Sequence, residues 1–498
     1  IISHCWQNLL IPILKKIKML VDGGVLAIFS TATVVVHCVG VIHAAHAVMN
    51  VRSSQGAIAW SISLITFPWL AIPLYWILGR TKFHGYAETL RSVYAQHYKI
   101  FHSTYSELIK FQVAPPDNLA ELQPLAEAFT DISFTSGNSA ELLINGQQTY
   151  EAMLKKIASA TNYILFQFYT VNDDESGNEF KEALIAKAKQ GISIYFLYDE
   201  IGSKKLSRPY IQSLQQHGIA VSAFNTTKGQ GNRFQFNFRN HRKILVVDGE
   251  IAFVGGLNIG DEYLGKNPRL SPWRDTHMML EGPTVQSLQN SFVRDWYWAT
   301  RKLLEVNWQV KINRETNQTV FILPTGPADH LPACKLFFVE LINQAQTHLW
   351  IASPYFVPDE ATLSALKLAA MRGVDVRILL PNRPDHLFVY LCSFSYYTEM
   401  EKIGIKLYRY KNGFMHQKII VIDENLAGVG TVNLDNRSFS LNFEVMGFVT
   451  ECGFVQSVKK MLEDDLAVCV AVDLNEYDKK PFWFKLAVRV SRLLTPLL

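Results

Sequence analysis

The sequence lacks closely spaced cysteines and lacks a nucleotide-binding glycine loop. No C-x-x-C pair occurs among its six cysteines, Cys5, Cys38, Cys334, Cys392, Cys452 and Cys469. This spacing argues against a zinc site and against a disulfide framework, and it favours reduced cysteines in a chain that faces the cytosol. There is also no G-x-x-x-x-G-K-[ST] loop and no convincing dinucleotide fingerprint, so no cofactor is expected.

Charge is also scarce. Charged residues make up only 18% of the chain, whereas hydrophobic residues make up 49%. The formal net charge of +4 is too small to argue for a nucleic-acid partner by itself. At 498 residues the chain exceeds the usual size of one domain, so two or more domains are expected.

The apolar excess is concentrated near the N-terminus. Two uncharged runs, at about 25–47 and 56–78, are each long enough to cross a hydrocarbon layer of ~30 Å. Basic residues flank the pair on the outside, and the joining loop carries Arg52. This distribution predicts a transmembrane hairpin over 19–86 with both ends in the cytoplasm; the alternative is two buried core helices. Because the chain begins with Ile rather than Met, Met19 is a plausible start, and 1–18 is interpreted as an uncertain extension.

The rest of the chain repeats one pattern. After a polar connector at 87–132, helical runs alternate with apolar strand-like runs over 133–305 and again over 306–498. This alternation predicts two α/β domains, related by a pseudo-twofold axis, with largely parallel central sheets. The C-terminal run PFWFKLAVRVSRLLTPLL predicts an amphipathic helix that either lies on an anionic lipid surface or closes the core of the second domain.

Two strings carry the chemistry. HRKILVVDGEIAFVGGLN begins at His241 and HQKIIVIDENLAGVGTVN begins at His416, and nine of their 18 positions are identical. Residues two apart on a strand face the same side, about 7 Å apart, so His241 and Lys243 project together, as do His416 and Lys418. A protonated lysine cannot bind a metal, so no metal site is expected. Imidazole and ammonium together suit a phosphate instead.

Two copies offer two histidines to one phosphate. One histidine would attack phosphorus and form a phosphohistidine, while the other would protonate the departing oxygen. The lysines, together with Asn258 and Asn433, would hold the non-bridging oxygens. A carboxylate follows each motif, Asp275 in WRDTH and Glu444 in LDNRSFSLNFE, and is a candidate to orient a histidine ring.

The two H-x-K-x₄-D-x₆-G-[GST]-x-N strings resemble the HKD motif of the phospholipase D superfamily. WRDTHMMLEGPTVQSLQNSFVRDW and SISLITFPWLAIPLYWILGR make the chain most similar to bacterial cardiolipin synthases, from about residue 20 onward. The resemblance implies a catalytic set of His241, Lys243, Asp248, His416, Lys418 and Asp423. The superfamily precedent makes His241 the nucleophile and His416 the acid, although the pseudo-symmetry also allows the reverse. Asp248 and Asp423 end their strands, so they either take part in catalysis or fix the following turn.

The resemblance also implies an activity and a location. The family joins two phosphatidylglycerol molecules into cardiolipin and releases glycerol. Its members are multi-pass proteins of the bacterial inner membrane, which implies phospholipid partners and catalytic domains on the cytoplasmic side. A hydrolase of membrane lipids stays open as the alternative, because the dryness of the site decides whether water replaces the alcohol. A nuclease is disfavoured by the apolar runs and the modest charge, and the sequence does not predict an oligomeric state.

Overall fold

The computed structural model describes residues 27–51, 54–79, 82–96, 105–224, 237–473 and 475–495. The predicted extension 1–18 and the predicted flanking charges at Arg52 and Arg80 lie outside these residues. The described residues form two compact units, one that comprises the residues before Lys82 together with Asn237, and one that comprises the remaining residues from Lys82 onward.

The N-terminal unit consists of apolar helices. They are α1 (Ala27–Asn50), α2 (Ser54–Thr66) and α3 (Pro68–Leu78). Among the described residues α1 alone is long and apolar enough to cross a membrane, by length and composition. The second predicted run is interrupted at Phe67, because Pro68 has no N–H to donate to the carbonyl of Leu64. The predicted two-helix transmembrane hairpin is therefore not confirmed.

The helices of this unit pack closely at one glycine. A Cβ built on Gly40 of α1 would lie 2.2 Å from the carbonyl oxygen of Leu64 and 3.0 Å from Cβ of Pro68. One helical turn and a half further along, the imidazole Nδ1 of His46 is 2.8 Å from the hydroxyl of Tyr75. The absence of a side chain at Gly40 thus allows α1 to contact the backbone where the second run is interrupted.

The second unit begins with short helices and continues into a sheet. The helices of its first half are α4 (Tyr86–Gln96), α5 (105–109), α6 (Leu122–Phe129), α7 (Asn145–Ser159), α8 (Glu175–Ala188), α9 (Arg208–Gln216) and α10 (Thr284–Thr300). The strands of its first half are β1 (Thr135–Ile144), β2 (Tyr163–Phe168), β3 (Ser193–Asp199), β4 (Ala220–Phe224), β5 (Arg239–Asn240), β6 (Ile244–Val247), β7 (Ile251–Gly255), β8 (Trp273–Arg274) and β9 (Thr276–Glu281).

The second half follows the same plan. Its strands are β10 (Gln318–Thr325), β11 (His348–Ala352), β12 (Phe356–Val357), β13 (Asp375–Pro381), β14 (Lys406–Tyr410), β15 (Phe414–Met415), β16 (Ile419–Ile422), β17 (Leu426–Gly430), β18 (Leu434–Asp435), β19 (Asn442–Val449) and β20 (Cys469–Ala471). Its helices are α11 (Ala333–Gln344), α12 (Glu360–Met371), α13 (Leu387–Lys402), α14 (Asn436–Ser440), α15 (Cys452–Ala467), α16 (Glu476–Lys479) and α17 (Phe482–Arg492).

One sheet runs through both halves. Its strand order is β20-β14-β13-β11-β16-β17-β19-β10-β1-β9-β7-β6-β2-β3-β4. The order outward from β1 repeats the order outward from β10, and these two equivalent strands pair antiparallel at the centre. The duplication seen in the sequence is therefore a duplication of the fold, and the two halves meet edge to edge within a single sheet.

The sheet is mixed, and the prediction of largely parallel sheets is corrected. The parallel pairs are β2–β3–β4 and β11–β13–β14, whose strands are connected through helices. The strand of each motif pairs antiparallel with both of its neighbours. The tight turn that follows the motif Asp leads directly into the next strand, and a chain that reverses over so few residues must run antiparallel.

The C-terminal helix has two different faces. Val488 and Ser491 are buried. The ring of Phe484 packs edge-on to that of Phe394 in α13, with 5.2 Å between the ring centroids. On the other side Phe482 and Trp483 are exposed by 79% and 68%. The predicted amphipathic helix α17 therefore packs on the second half and still presents apolar rings outward.

Candidate active site

His241 is held by the second half of the fold. It follows β5, which pairs parallel with β19, and its main-chain N–H donates to the carbonyl of Phe443 at 2.8 Å. Its ring Nδ1 lies 2.9 Å from Oε2 and 3.1 Å from Oε1 of Glu444, a side chain with no exposed surface. The strand that carries Glu444 thus fixes both the backbone and the ring of His241.

His416 is held in the same way by the first half. It follows β15, which pairs parallel with β8, and its N–H donates to the carbonyl of Arg274 at 2.7 Å. Its ring Nδ1 lies 2.8 Å from Oδ2 of the fully buried Asp275. Each carboxylate therefore orients the histidine of the other half, a crossed pairing that the order of residues along the chain does not reveal.

The two lysines lie beneath the histidines. The Nζ of Lys243 donates to the carbonyl of His241 at 2.7 Å, and the Nζ of Lys418 donates to the carbonyl of His416 at 2.6 Å. Burial lowers the pKa of Lys418 to about 8 and lowers the pKa of Lys243 well below its usual range. Two ammonium groups held in a buried site are stabilised by an anion, which favours phosphate binding there.

Burial keeps both histidines neutral at pH 7. Burial lowers the pKa of His241 to about 4 and the pKa of His416 to about 4. The adjacent carboxylates act in the opposite direction, and the positive charges of both Lys243 and Lys418 lower each value further. Each histidine is thus within electrostatic range of the lysine of the other motif as well as of its own. With Nδ1 bonded to a carboxylate, Nε2 is the ring atom left for chemistry.

Glu444 is the hub of a buried hydrogen-bond network. Besides His241, it accepts from the hydroxyl of Thr431 at 2.5 Å, the hydroxyl of Ser438 at 2.8 Å and the amide of Asn442 at 3.0 Å. Burial raises its pKa, but the contact with His241, the charge of Lys243 and the hydrogen bond from Thr431 together outweigh burial and hold the pKa below its ordinary value. The carboxylate is therefore ionised and fixed in place.

The motif aspartates lie away from this site. Asp248 accepts from the main-chain N–H groups of Thr161, Asn162 and Tyr163 at 2.7 to 2.9 Å. Asp423 binds the start of β11 in the same way, at residues 346–348. At ~3.3 Å per strand residue, Asp248 is about 16 Å from Lys243 along the chain. The structure thus places both aspartates at the far end of the motif strand, where they fix the turn.

The asparagines predicted to contact phosphate are partly engaged elsewhere. Asn258 donates to the hydroxyl of Tyr263 at 3.1 Å and accepts from the N–H of Thr170 at 3.0 Å. Asn433 is buried, and its Oδ1 has no hydrogen-bond partner. A Cβ on Gly256 would lie 2.0 Å from Oδ1 of Asp275, so this glycine makes room for the orienting carboxylate rather than for a ligand.

Sequence reasoning missed a second layer of buried charge. Arg242 lies between the motif His and Lys, and its Nη1 donates to both carboxylate oxygens of Asp295 in α10, at 2.8 and 2.9 Å. Arg274 of β8, in the first half, binds Asp465 of α15, in the second half, at 2.7 and 2.9 Å. The sequence does contain a sign of these two aspartates. Asp295 follows Asp275 by nearly the same number of residues as Asp465 follows Glu444.

Comparison with known proteins places this site in a family. The profile described as "Cardiolipin synthase, PLD-like domain" matches residues 153–296 and 338–466. The chain is 44% identical over 473 residues to cardiolipin synthase A of Pseudomonas aeruginosa, which covers 93% of this chain and 95% of that protein. It is 43% identical over 465 residues to cardiolipin synthase A of Pseudomonas fluorescens, covering 93% and 97% respectively.

A solved structure shares the fold. The phosphatidylserine synthase of Haemophilus influenzae superposes with a TM-score of 0.56 at 14% identity, covering 76% of this chain and 100% of that one. At this level of identity the likeness concerns the arrangement of the two halves and not the substrate.

The role of the motif aspartates leads to a stability prediction. Asp423→Ala removes the acceptor of several main-chain N–H groups at the start of β11, so we expect the free energy of unfolding to fall by about 3 kcal/mol. Thermal unfolding of the detergent-solubilised protein measures the effect as a lower midpoint. Asp464→Ala is the control, since Asp464 is 66% exposed and bonds Lys460 at the surface. Equal midpoints for the two variants would show that Asp423 does not hold the turn.

Proposed function

The chain belongs to the cardiolipin synthase family of phospholipase D-like enzymes, and we propose that it joins two phosphatidylglycerol molecules into cardiolipin at the site formed by its two histidines. The observation that carries the proposal is the pair of crossed histidine–carboxylate contacts above two buried lysines. This arrangement suits in-line exchange at one phosphodiester, with one imidazole on each side of phosphorus.

The first step forms a phosphohistidine. Nε2 of His241 attacks phosphorus of the donor lipid, the bond from phosphorus to the glycerol oxygen breaks, and His416 gives its proton to that oxygen. The negative phosphodiester raises the pKa of the nearby His416, so this ring becomes protonated when substrate binds. Glycerol leaves, and the phosphatidyl group stays on His241.

The second step reverses the proton transfer. His416, now neutral, takes the proton of a hydroxyl on the headgroup of a second phosphatidylglycerol. The hydroxyl oxygen bonds to phosphorus, the nitrogen–phosphorus bond breaks, and cardiolipin is released. Because one phosphodiester replaces another, the exchange is nearly neutral in energy and requires no nucleotide. The pseudo-symmetry permits the reverse assignment of nucleophile and acid.

The other predicted residues take supporting parts. Lys243 and Lys418 hold the non-bridging oxygens, and the bound anion favours their charged forms. Glu444 and Asp275 position the imidazoles. Asn258 and Asn433 act through amide protons toward phosphate, and Asp248 and Asp423 act by fixing the motif strands.

Membrane attachment follows from the lipid substrates. We place the chain in the bacterial inner membrane through α1, with the second apolar run as its partner in a multi-pass hairpin and the catalytic unit on the cytoplasmic side. The outward face of α17 carries Phe482 and Trp483 together with Arg489, a combination that suits an anionic lipid surface. Phospholipids are thus the proposed partners.

The first test is the reaction itself. Purified protein in phosphatidylglycerol vesicles, without nucleotide, should release glycerol and form cardiolipin in equal amounts, because each transfer produces one of each. Chromatography of the lipids and assay of glycerol measure the two products. Phosphatidic acid as the sole lipid product would favour the hydrolase alternative, and strong inhibition by EDTA would contradict a reaction that requires no metal.

Both histidines should be indispensable. His241→Ala and His416→Ala should each lower turnover by about 10³-fold or more, since one variant lacks the nucleophile and the other lacks the acid. His217→Ala is a matched control, because Nδ1 of this half-buried ring bonds the carbonyl of Ser213 near the end of α9. Near-normal turnover in either motif variant would refute a shared site.

The buried lysines should limit activity at high pH. The folded-state pKa of Lys418 is lowered to about 8, so this side chain is charged below that pH and loses its charge above it. Because His416 must take up a proton when substrate binds, kcat/KM, which reports the free enzyme, should already decline as pH rises above about 4, and we expect it to fall more steeply as pH rises through about 8. It should also fall below about 4, where protonation removes the neutral imidazole of His241. A kcat/KM that stays constant up to the ordinary lysine pKa of about 10.4 would contradict this account.

A further inference from the structure

Three basic or nucleophilic side chains share one face of the first motif segment. Asn240 and Arg242 both bond Asp295, so they point to the face opposite His241. Since side chains alternate along an extended chain, Arg239 lies on the same face as His241 and Lys243. Arg239 is about 7 Å from His241 along the chain, at ~3.3 Å per residue.

A second arginine lies close to the first. Arg437 lies in α14, directly before the strand that carries Glu444, and β5 pairs with that strand so that Arg239 is opposite Asn442. Burial and then the charge of Arg239 lower the pKa of Arg437. The two like charges therefore lie within electrostatic range of each other in a partly buried place.

Tyr169 connects the arginines to the reacting centre. Its ring centroid lies 5.0 Å from that of His241 and 5.4 Å from Nζ of Lys243. The charges of Arg239 and Arg437 both act on the Tyr169 phenol, whose pKa burial raises. The arginine pair therefore lies beside His241, on the side of the site that Tyr169 forms.

The carboxylates near these arginines accept hydrogen bonds from main-chain N–H groups. In the described part of the chain Arg239 forms no salt bridge, and it donates to the carbonyl of Phe238. The nearby Asp199 accepts from the main-chain N–H groups of Ile201, Gly202 and Asn240. Burial raises the pKa of Asp435, the residue that caps α14, to about 6.

The other half of the duplication has different residues at these two places. A shift of 175 residues, which superimposes His241 on His416, brings Arg239 to Phe414 and brings Arg437 to Glu262. Phe414 and Trp273 instead form an aromatic wall near His416, with ring centroids 6.0 Å and 5.0 Å from it. The site is thus cationic beside one histidine and aromatic beside the other.

We propose that Arg239 and Arg437 bind the phosphate of the acceptor phospholipid while the donor phosphate lies between the two histidines. The inference rests on the proposed transferase function and adds a second anion subsite to it. In an acceptor phosphatidylglycerol, one glycerol separates this phosphate from the attacking hydroxyl, so binding the phosphate delivers the hydroxyl toward phosphorus. Water has no such group to bind, and the arginines therefore favour transfer over hydrolysis.

Two reactions of the same enzyme distinguish binding at the proposed acceptor subsite from the transfer reaction itself. Cardiolipin formation uses an acceptor that carries a phosphate, whereas exchange of labelled free glycerol into phosphatidylglycerol uses an acceptor without one. Both are measured in phosphatidylglycerol vesicles with the full chain. Loss of a charge-assisted contact to phosphate in Arg239→Gln or Arg437→Gln should slow cardiolipin formation about tenfold or more. Glycerol exchange should be affected much less, and the share of phosphatidic acid should rise.

Controls make the outcomes decisive. Arg314→Gln removes an exposed arginine and should change neither reaction, while Arg239→Lys should recover part of the cardiolipin formation. Equal losses of both reactions in a variant with a normal unfolding midpoint would overturn the subsite, as would unchanged cardiolipin formation. If one arginine variant does not fold, the other carries the test. Absence of both reactions in the unaltered protein would refute the transferase function itself.

Discussion

The catalytic unit depends on two hydrogen bonds that cross between its halves, from His241 to Glu444 and from His416 to Asp275. Each half contains a motif histidine and a buried carboxylate, but each carboxylate bonds the ring of the other half. Neither half can therefore complete the proposed site alone. Parallel pairing of β5 with β19 and of β15 with β8 aligns the backbones that make these contacts.

The crossed contacts between the halves also explain the lowered pKa values in the site. Crossed packing buries two lysines and two histidines together, which lowers the pKa of all four. Burial of lysine charge costs free energy in the empty enzyme, and a phosphodiester offsets that cost when it binds. Cations that are held in place before the substrate binds can stabilise the negative charge that develops in the transition state. This is electrostatic preorganisation. The inferred arginine subsite extends this cationic surface toward the second lipid.

Much of this was predictable from the repeated motif. The spacing of His and Lys indicated a phosphate site, and the carboxylates after each motif indicated Glu444 and Asp275. The crossing of the pairs was not predictable, because it depends on which strands become neighbours in the folded chain. The sheet is mixed and not largely parallel as predicted, because the tight turn at Asp248 leads straight into the next strand and makes that pair antiparallel. The interruption at Phe67 came from a single missing donor at Pro68, which composition alone does not reveal.

The central claim is that two half-sites make one centre in which a single histidine carries the phosphatidyl group. Rapid quenching during turnover of phosphatidylglycerol labelled at phosphorus, followed by peptide mapping, tests it most directly. The account predicts label on the peptide that contains His241. Turnover without label on any histidine would contradict the covalent mechanism, and label on both histidines in equal amounts would contradict one shared centre.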